Sequence, residues 1–168
     1  PEFTSAYGSL STESQVNQIY LNLFDREADV EGLTYWTQQI RLGNLQLADI
    51  AVDLIWAAQN NAGSADDKLA LSNRTEAAEA YTAKVKETTA SILAFQPLDD
   101  GLSEGSTFSA GSNITEAKAY LSGIDKDTTY TVAGIAASVA TIDANGVPSE
   151  AAVAVSKTFT SNLDNLVG

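Results

Sequence analysis

Two groups of side chains in this sequence could do chemistry. The first is rich in oxygen: Asp25-x-x-x-Asp29-x-Glu31-Gly32. Calcium takes about six to eight oxygen ligands, and alternating acids beside a glycine turn can supply several. Asp25, Asp29 and Glu31 are therefore the candidate calcium ligands. Their spacing departs from that of an EF-hand loop. A plainer assignment has Asp29 capping a helix, Arg26 pairing with a nearby acid and Gly32 allowing close packing. The second group is aromatic: Tyr35, Trp36 and Trp56, with the amides Gln38, Gln39, Asn60 and Asn61 close in sequence. Aromatic faces suit the C–H surfaces of sugars, and amides can fix hydroxyls. Trp36 lies on an apolar stripe and is assigned to the core. Trp56 lies off the Leu47/Ile50/Leu54 stripe, so partial exposure is expected. The ligand-binding candidates are Trp56, Tyr35, Gln39, Asn60 and Asn61.

Catalysis is hard to build from the remaining residues. The chain has no Cys, no His and no Met. That removes a Ser-His-Asp triad, a thiol nucleophile and an ordinary zinc site. No glycine-rich phosphate loop is present. Paired carboxylates would suffice for glycoside hydrolysis, but nothing in the sequence singles out such a pair. A further acidic group, Asp99-Asp100 with Glu104, reads first as a solvated loop. Asn73-Arg74-Thr75 and Asn113-Ile114-Thr115 spell glycosylation sequons but are expected to serve helix ends. The expectation is a protein that is not an enzyme, requires no cofactor, and has calcium as its one candidate ligand of that kind.

Nine basic residues stand against 22 acidic ones, a net charge of −13. Phosphate contacts need clustered Lys and Arg, and here they are scattered singly. Nucleic acid is thus excluded as a partner, and anionic membrane surfaces are disfavoured. No apolar run approaches the length of a membrane span. No basic start leads into an apolar run, so no signal peptide is read. Pro1-Glu2-Phe3 reads as a cloning remnant.

The elements that must position these residues are helical. Val16, Ile19, Tyr20, Leu23 and Phe24 form one stripe over 11–24, with Thr12 and Gln15 at capping-box spacing. Asp29 caps a second helix over about 30–42, with Leu33, Trp36 and Ile40 facing inward, an inward position open to Tyr35 as well, and Gly43 as its left-handed stop. A third helix spans about 46–59, with Leu47, Ile50, Ala51, Leu54 and Ile55 on its stripe. A fourth spans about 65–86, capped by Ser64, with Leu69, Ala77, Ala80, Tyr81 and Val85 inward. Pro97, Gly101, Gly105 and Gly111 mark 87–112 as an irregular connection, pinned by Ile92, Leu93, Phe95 and Leu98. Asn113 caps a helix over about 114–122. Another covers about 128–143, with Val132, Ile135, Ala136, Val139 and Ile142 inward. Pro148 opens a last helix through about 165. The expected fold is all-α, a compact bundle of about seven helices with one long irregular connection near 87–112. The expected organisation is a flexible lead over 1–10, a helical module over 11–86, the connection over 87–112, and a helical part over 113–168 packed on the first as one domain.

The stretch from Ile19 to Trp36, IYLNLFDREADVEGLTYW, resembles the pattern Y-x-x-x-F/L-G-R-x-x-D-x-x-G-L-x-Y-W. That pattern marks a helical bacterial module called domain of unknown function 4214. The Gly43-Asn44 turn, the Leu47–Ile55 helix and the Asn73–Thr82 segment continue the resemblance, as does Ala117–Ile124. It is good over about 12–86 and looser to about 142. Asp25 stands where the family usually has Gly, so the bend there is expected to differ.

The resemblance implies context rather than chemistry. Such modules occur in surface-layer, repeats-in-toxin and adhesin proteins, and a more distant likeness is to phycobilisome linker domains. It implies a non-catalytic, extracellular domain of a Gram-negative surface protein. The implied partners are cell-surface polysaccharide, lipopolysaccharide or neighbouring copies in a surface layer. Alternatives are an accessory carbohydrate- or protein-binding module of a secreted enzyme or adhesin, and a phycobilisome-type linker.

Overall fold

The computed structural model describes residues 2–100, 102, 105 and 107–148. The fold is all-α. Its described helices are α1 (Glu2–Tyr7), α2 (Thr12–Phe24), α3 (Val30–Arg41), α4 (Ile50–Asn60), α5 (Ala65–Val85), α6 (Thr89–Ala94), α7 (Gly111–Ser122) and α8 (Val132–Asn145). A single 3-10 turn, Leu47–Asp49, leads into α4. Two residue pairs form a short antiparallel ladder, Asp99 with Ser109 and Asp100 with Phe108.

The helices bury two apolar clusters. Val16, Ile19, Tyr20 and Phe24 of α2 pack on Ile50, Leu54 and Ala58 of α4, with Leu33, Trp36 and Ile40 of α3 half-buried against them. Tyr81 and Val85 of α5 pack with Ala94, Ala117, Ile135, Val139 and Ile142. Helix α5 serves both: Leu71 touches the first cluster and Tyr81 lies in the second. The stripes on α2, α4 and α8 account for these clusters, because apolar residues at helical spacing share one face.

Between the clusters, α5 carries a polar clamp. The Arg74 guanidinium donates to the carbonyls of Leu21 (2.8 Å), Asn22 (2.5 Å), Ile124 (2.6 Å) and Ser122 (3.3 Å), and to Asp25 Oδ1 (2.8 Å). These carbonyls lie at the ends of α2 and α7, where helices leave acceptors without intrahelical partners. Asn73 Nδ2 donates to the Asp125 carbonyl at 2.8 Å. The Asn73 sequon is therefore a buried mid-helix joint rather than a helix end.

Several boundaries and faces differ from the sequence-based expectations. Residues 2–7 are helical, with Phe3 stacked on Tyr7 at 5.0 Å and Tyr7 Oη accepting from Asn22 Nδ2 at 2.7 Å. Ser11 caps α2 by accepting from the Ser14 amide. Gln15 does not close a capping box; its Nε2 donates to the Tyr7 carbonyl. Ser64 makes no side-chain cap to α5. The 87–112 connection contains α6, capped by Thr88, and the short ladder. Ile92 and Leu93 are exposed there, while Phe95 and Leu98 are half-buried. Small Ser91 and Ala94 make the buried face of α6 instead. Leu69 is 49% exposed and Val132 79% exposed, both outside the core. Val132 is the first residue of α8, which begins after Thr131 caps it.

Asn113 does not cap α7. It is 1% exposed. Its Nδ2 donates to the carbonyls of Ala94 and Gly146, each at 2.8 Å, and its Oδ1 accepts from Asn145 Nδ2. A fully bonded amide can be buried without the desolvation cost of an orphan. The helix expected from Pro148 through about 165 lies outside the described residues.

Candidate functional site

The site begins at the α2–α3 corner. Helix α2 ends at Asp25, whose φ of 58° is left-handed. Where the family pattern has Gly, this Asp takes the backbone conformation that glycine adopts freely; Asp is among the residues that tolerate it. The chain then reverses, and Asp29 caps α3, its Oδ1 accepting from the Gly32 amide at 2.7 Å. Gly32 lets the helix approach Tyr20: a Cβ there would lie 2.7 Å from Tyr20 Oη. Tyr20 Oη accepts from Trp36 Nε1 at 3.0 Å, which holds Trp36 half-buried against the core.

Arg26 seals the floor. Its guanidinium makes a two-pronged pair with Asp67 at 2.6 and 2.7 Å, and its centre lies 5.2 Å from the Tyr20 ring centroid. Such paired geometry lets Asp67 stay buried. The Asp67 hydrogen bond raises the Arg26 pKa, and burial pushes the Tyr20 hydroxyl above the ordinary tyrosine value.

Above this floor α3 and α4 form the walls of an open cleft of about 690 Å³. Tyr35 and Glu31 line it from α3, and Trp56 and Asp53 from α4, with Asn61 and Asp29 also in the lining. Tyr35 is 53% exposed and Trp56 is 63% exposed. Tyr35 is braced by an edge contact to Trp36, with ring centroids 4.9 Å apart and planes at 80°. The inward position allowed to Tyr35 is thus not taken, while the exposure expected of Trp56 is observed. Each wall has the same pattern: a carboxylate one turn before an aromatic, Glu31 then Tyr35 and Asp53 then Trp56. Side chains three or four apart on a helix are neighbours.

The cleft brings together Tyr35, Trp56 and Asn61 of the sugar-binding candidates, and Asp29 and Glu31 of the calcium candidates. It leaves out Gln39, which accepts from Asn44 Nδ2 at the Gly43 turn, and Asn60, whose amide donates to the Trp56 carbonyl. Asp25 is turned to Arg74. Asp25, Asp29 and Glu31 do not converge as a ligand set. No group of three Asp, Glu, His or Cys among the described residues is placed to hold a metal ion.

Sequence reasoning missed Asp53, Asp67 and Tyr20 as site residues. Asp53 carried a readable signal, because it precedes Trp56 by three residues on one helix. The Arg26–Asp67 pair spans 41 residues and had none.

Residues 1–64 match the model of a family described as domain of unknown function (DUF4214). No curated protein and no solved structure matches the chain. The matched segment includes both cleft walls but stops short of Asp67 and Arg74, which complete the floor and the clamp. The match to DUF4214 thus covers the first 64 residues, including α3, α4 and the corner between α2 and α3, and contains the Tyr20–Trp36 motif on which the resemblance rests.

Proposed function

We propose that this domain is a non-catalytic glycan-binding module that anchors an exported bacterial surface protein to cell-surface polysaccharide. The observation that supports it best is the pair of water-exposed aromatic rings, Tyr35 and Trp56, lining one cleft. Leaving a large aromatic in water forgoes about 2 kcal/mol of burial. Aromatic faces across a groove can stack on sugar rings, and Glu31, Asp53 and Asn61 supply acceptors and an amide for hydroxyls. Ligand sites of this kind pair apolar surface with a few convergent polar groups. The α7–α8 corner adds a second argument. It folds around a comparable tyrosine–glycine contact with Ala137 and Ser138 at the offsets that Tyr35 and Trp36 hold in the first corner.

The surface-layer setting is part of the same proposal and rests on the resemblance of the α2–α3 motif. The test is attachment of the purified protein to cells of its source bacterium stripped of their surface layer. The unmodified protein is expected to bind, and the Tyr35→Ala/Trp56→Ala variant to bind at least about tenfold more weakly. Equal binding by a variant with an unchanged circular dichroism spectrum would refute the cleft as the anchor.

A further inference from the structure

The cleft's charge says which sugars it should accept. Its lining carries four carboxylates, Asp29, Glu31, Asp53 and Asp67, against one guanidinium, Arg26. Arg26 is committed to Asp67, with a longer contact of 3.6 Å to Asp29. Asp29 Oδ1 is further held by the Gly32 amide. Among the described residues Glu31 and Asp53 have no such partner, and they stand one turn from Tyr35 and Trp56. An aromatic face attracts a cation through its quadrupole, and a carboxylate beside it adds a Coulombic term of the same sign. A carboxylate also repels an anion. The two walls therefore repeat one recognition unit, a ring beside a free acid.

We infer that the cleft selects sugar units carrying a free ammonium group over their neutral counterparts, and rejects uronic acids, with Glu31 and Asp53 as the discriminating residues. This rests on the glycan-binding reading of the same cleft. Stacking on Tyr35 and Trp56 holds the sugar ring, whatever its charge. Glu31 and Asp53 then distinguish an ammonium from an acetamide at the ring's edge.

The experiment uses three short probes with the full chain: a β-1,4-linked glucosamine trisaccharide, its fully N-acetylated form, and a galacturonic acid trisaccharide. Calorimetric titration is run at mildly acidic pH, where the amines hold their protons, and at moderate salt. The glucosamine trisaccharide is expected to bind roughly 3- to 10-fold more tightly than the acetylated form, and the galacturonic acid probe most weakly. Glu31→Gln/Asp53→Asn should erase that gap while leaving the acetylated probe within about twofold. The protein's overall acidity could draw any cation, so Glu79→Gln/Asp143→Asn serves as a control of equal charge change. Both control residues are exposed and lie off the cleft, and this variant should keep the gap. Equal affinities for the aminated and acetylated probes would overturn the selectivity and leave glycan binding standing. So would a gap that survives Glu31→Gln/Asp53→Asn, or one lost equally in the control. Binding of none of the three probes would count against the glycan reading itself, and the selectivity would fall with it.

Discussion

At the α2–α3 corner the ring of Tyr20 lies against Gly32, and at the α7–α8 corner the ring of Tyr120 lies against Gly134. Each glycine sits three residues after a capping side chain, Asp29 in one case and Thr131 in the other. Arg74 reaches the carbonyls of both corners from α5. The difference lies one turn further on. After Gly32 come Tyr35 and Trp36; after Gly134 the same offsets hold Ala137 and Ser138. Ser138 turns inward to bond Tyr81 Oη at 3.0 Å. At the second corner Ser138 goes to packing, whereas the first corner places an exposed aromatic in the lining of a cleft. A tyrosine–glycine corner therefore does not require exposed aromatics, and where they occur they call for another reason.

The largest effect should come from what the corners share. Arg74→Met removes donors to both at once and strands carbonyls at two helix ends. A loss of roughly 3 kcal/mol is expected in urea unfolding. A loss under about 1 kcal/mol would mean that the corners are held independently.

The next effect separates the corners. Gly32→Ala forces a methyl to within 2.7 Å of Tyr20 Oη. Overpacking there should outweigh the helix propensity gained, for a net loss of roughly 1–2 kcal/mol. At Gly134 the nearest atoms are 3.0–3.2 Å away, so Gly134→Ala should fall within about 0.5 kcal/mol of neutral. Adding Tyr20→Phe to Gly32→Ala should recover part of the loss, because it removes the clashing oxygen. A recovery seen with Tyr120→Phe instead would break the assignment.

Much of this fold was legible in the sequence, and the unread parts share a cause. The stripes on α2, α4 and α8 and the Asp29 cap are local signals, carried by spacing alone. Asn113 reads as a cap because Asn favours caps; its burial depends on carbonyls of Ala94 and Gly146, which lie far from it in sequence. Leu69 and Val132 fit helical spacing but are exposed among the described residues. Of the site, Trp56 and Tyr35 were readable from type and register, and Glu31 was read for a different ligand. Arg26–Asp67 was not readable, since only the packing of α5 on the α2–α3 corner brings the two residues together.

Alkaline pH probes the two clusters through Tyr20 and Tyr81, both raised above the ordinary tyrosine value chiefly by burial. Their contribution to stability is complete below the unfolded value and lost as pH rises through the folded ones. Phenolate absorbance and circular dichroism followed together should show these two ionising last, with unfolding. Tyr81→Phe should move the alkaline transition upward. Ionisation of all tyrosines ahead of any loss of helix would contradict the burial described here.

The smallest effect is expected at the rim. Trp56→Ala and Tyr35→Ala should each change unfolding free energy by no more than about 0.5 kcal/mol. A loss of about 3 kcal/mol, the scale of a core aromatic, would make them structural and remove the reason to seek a ligand.

On the proposed function, glycan binds at the first corner's aromatics and not at the second corner. The most direct measurement is a two-dimensional amide NMR titration of the protein with polysaccharide released from the envelope of its source bacterium. Shifts should concentrate at Tyr35, Trp56, Asn61 and their neighbours on α3 and α4, while α7 and α8 stay unchanged. Shifts centred on α7 and α8, or none at saturating polysaccharide, would contradict it.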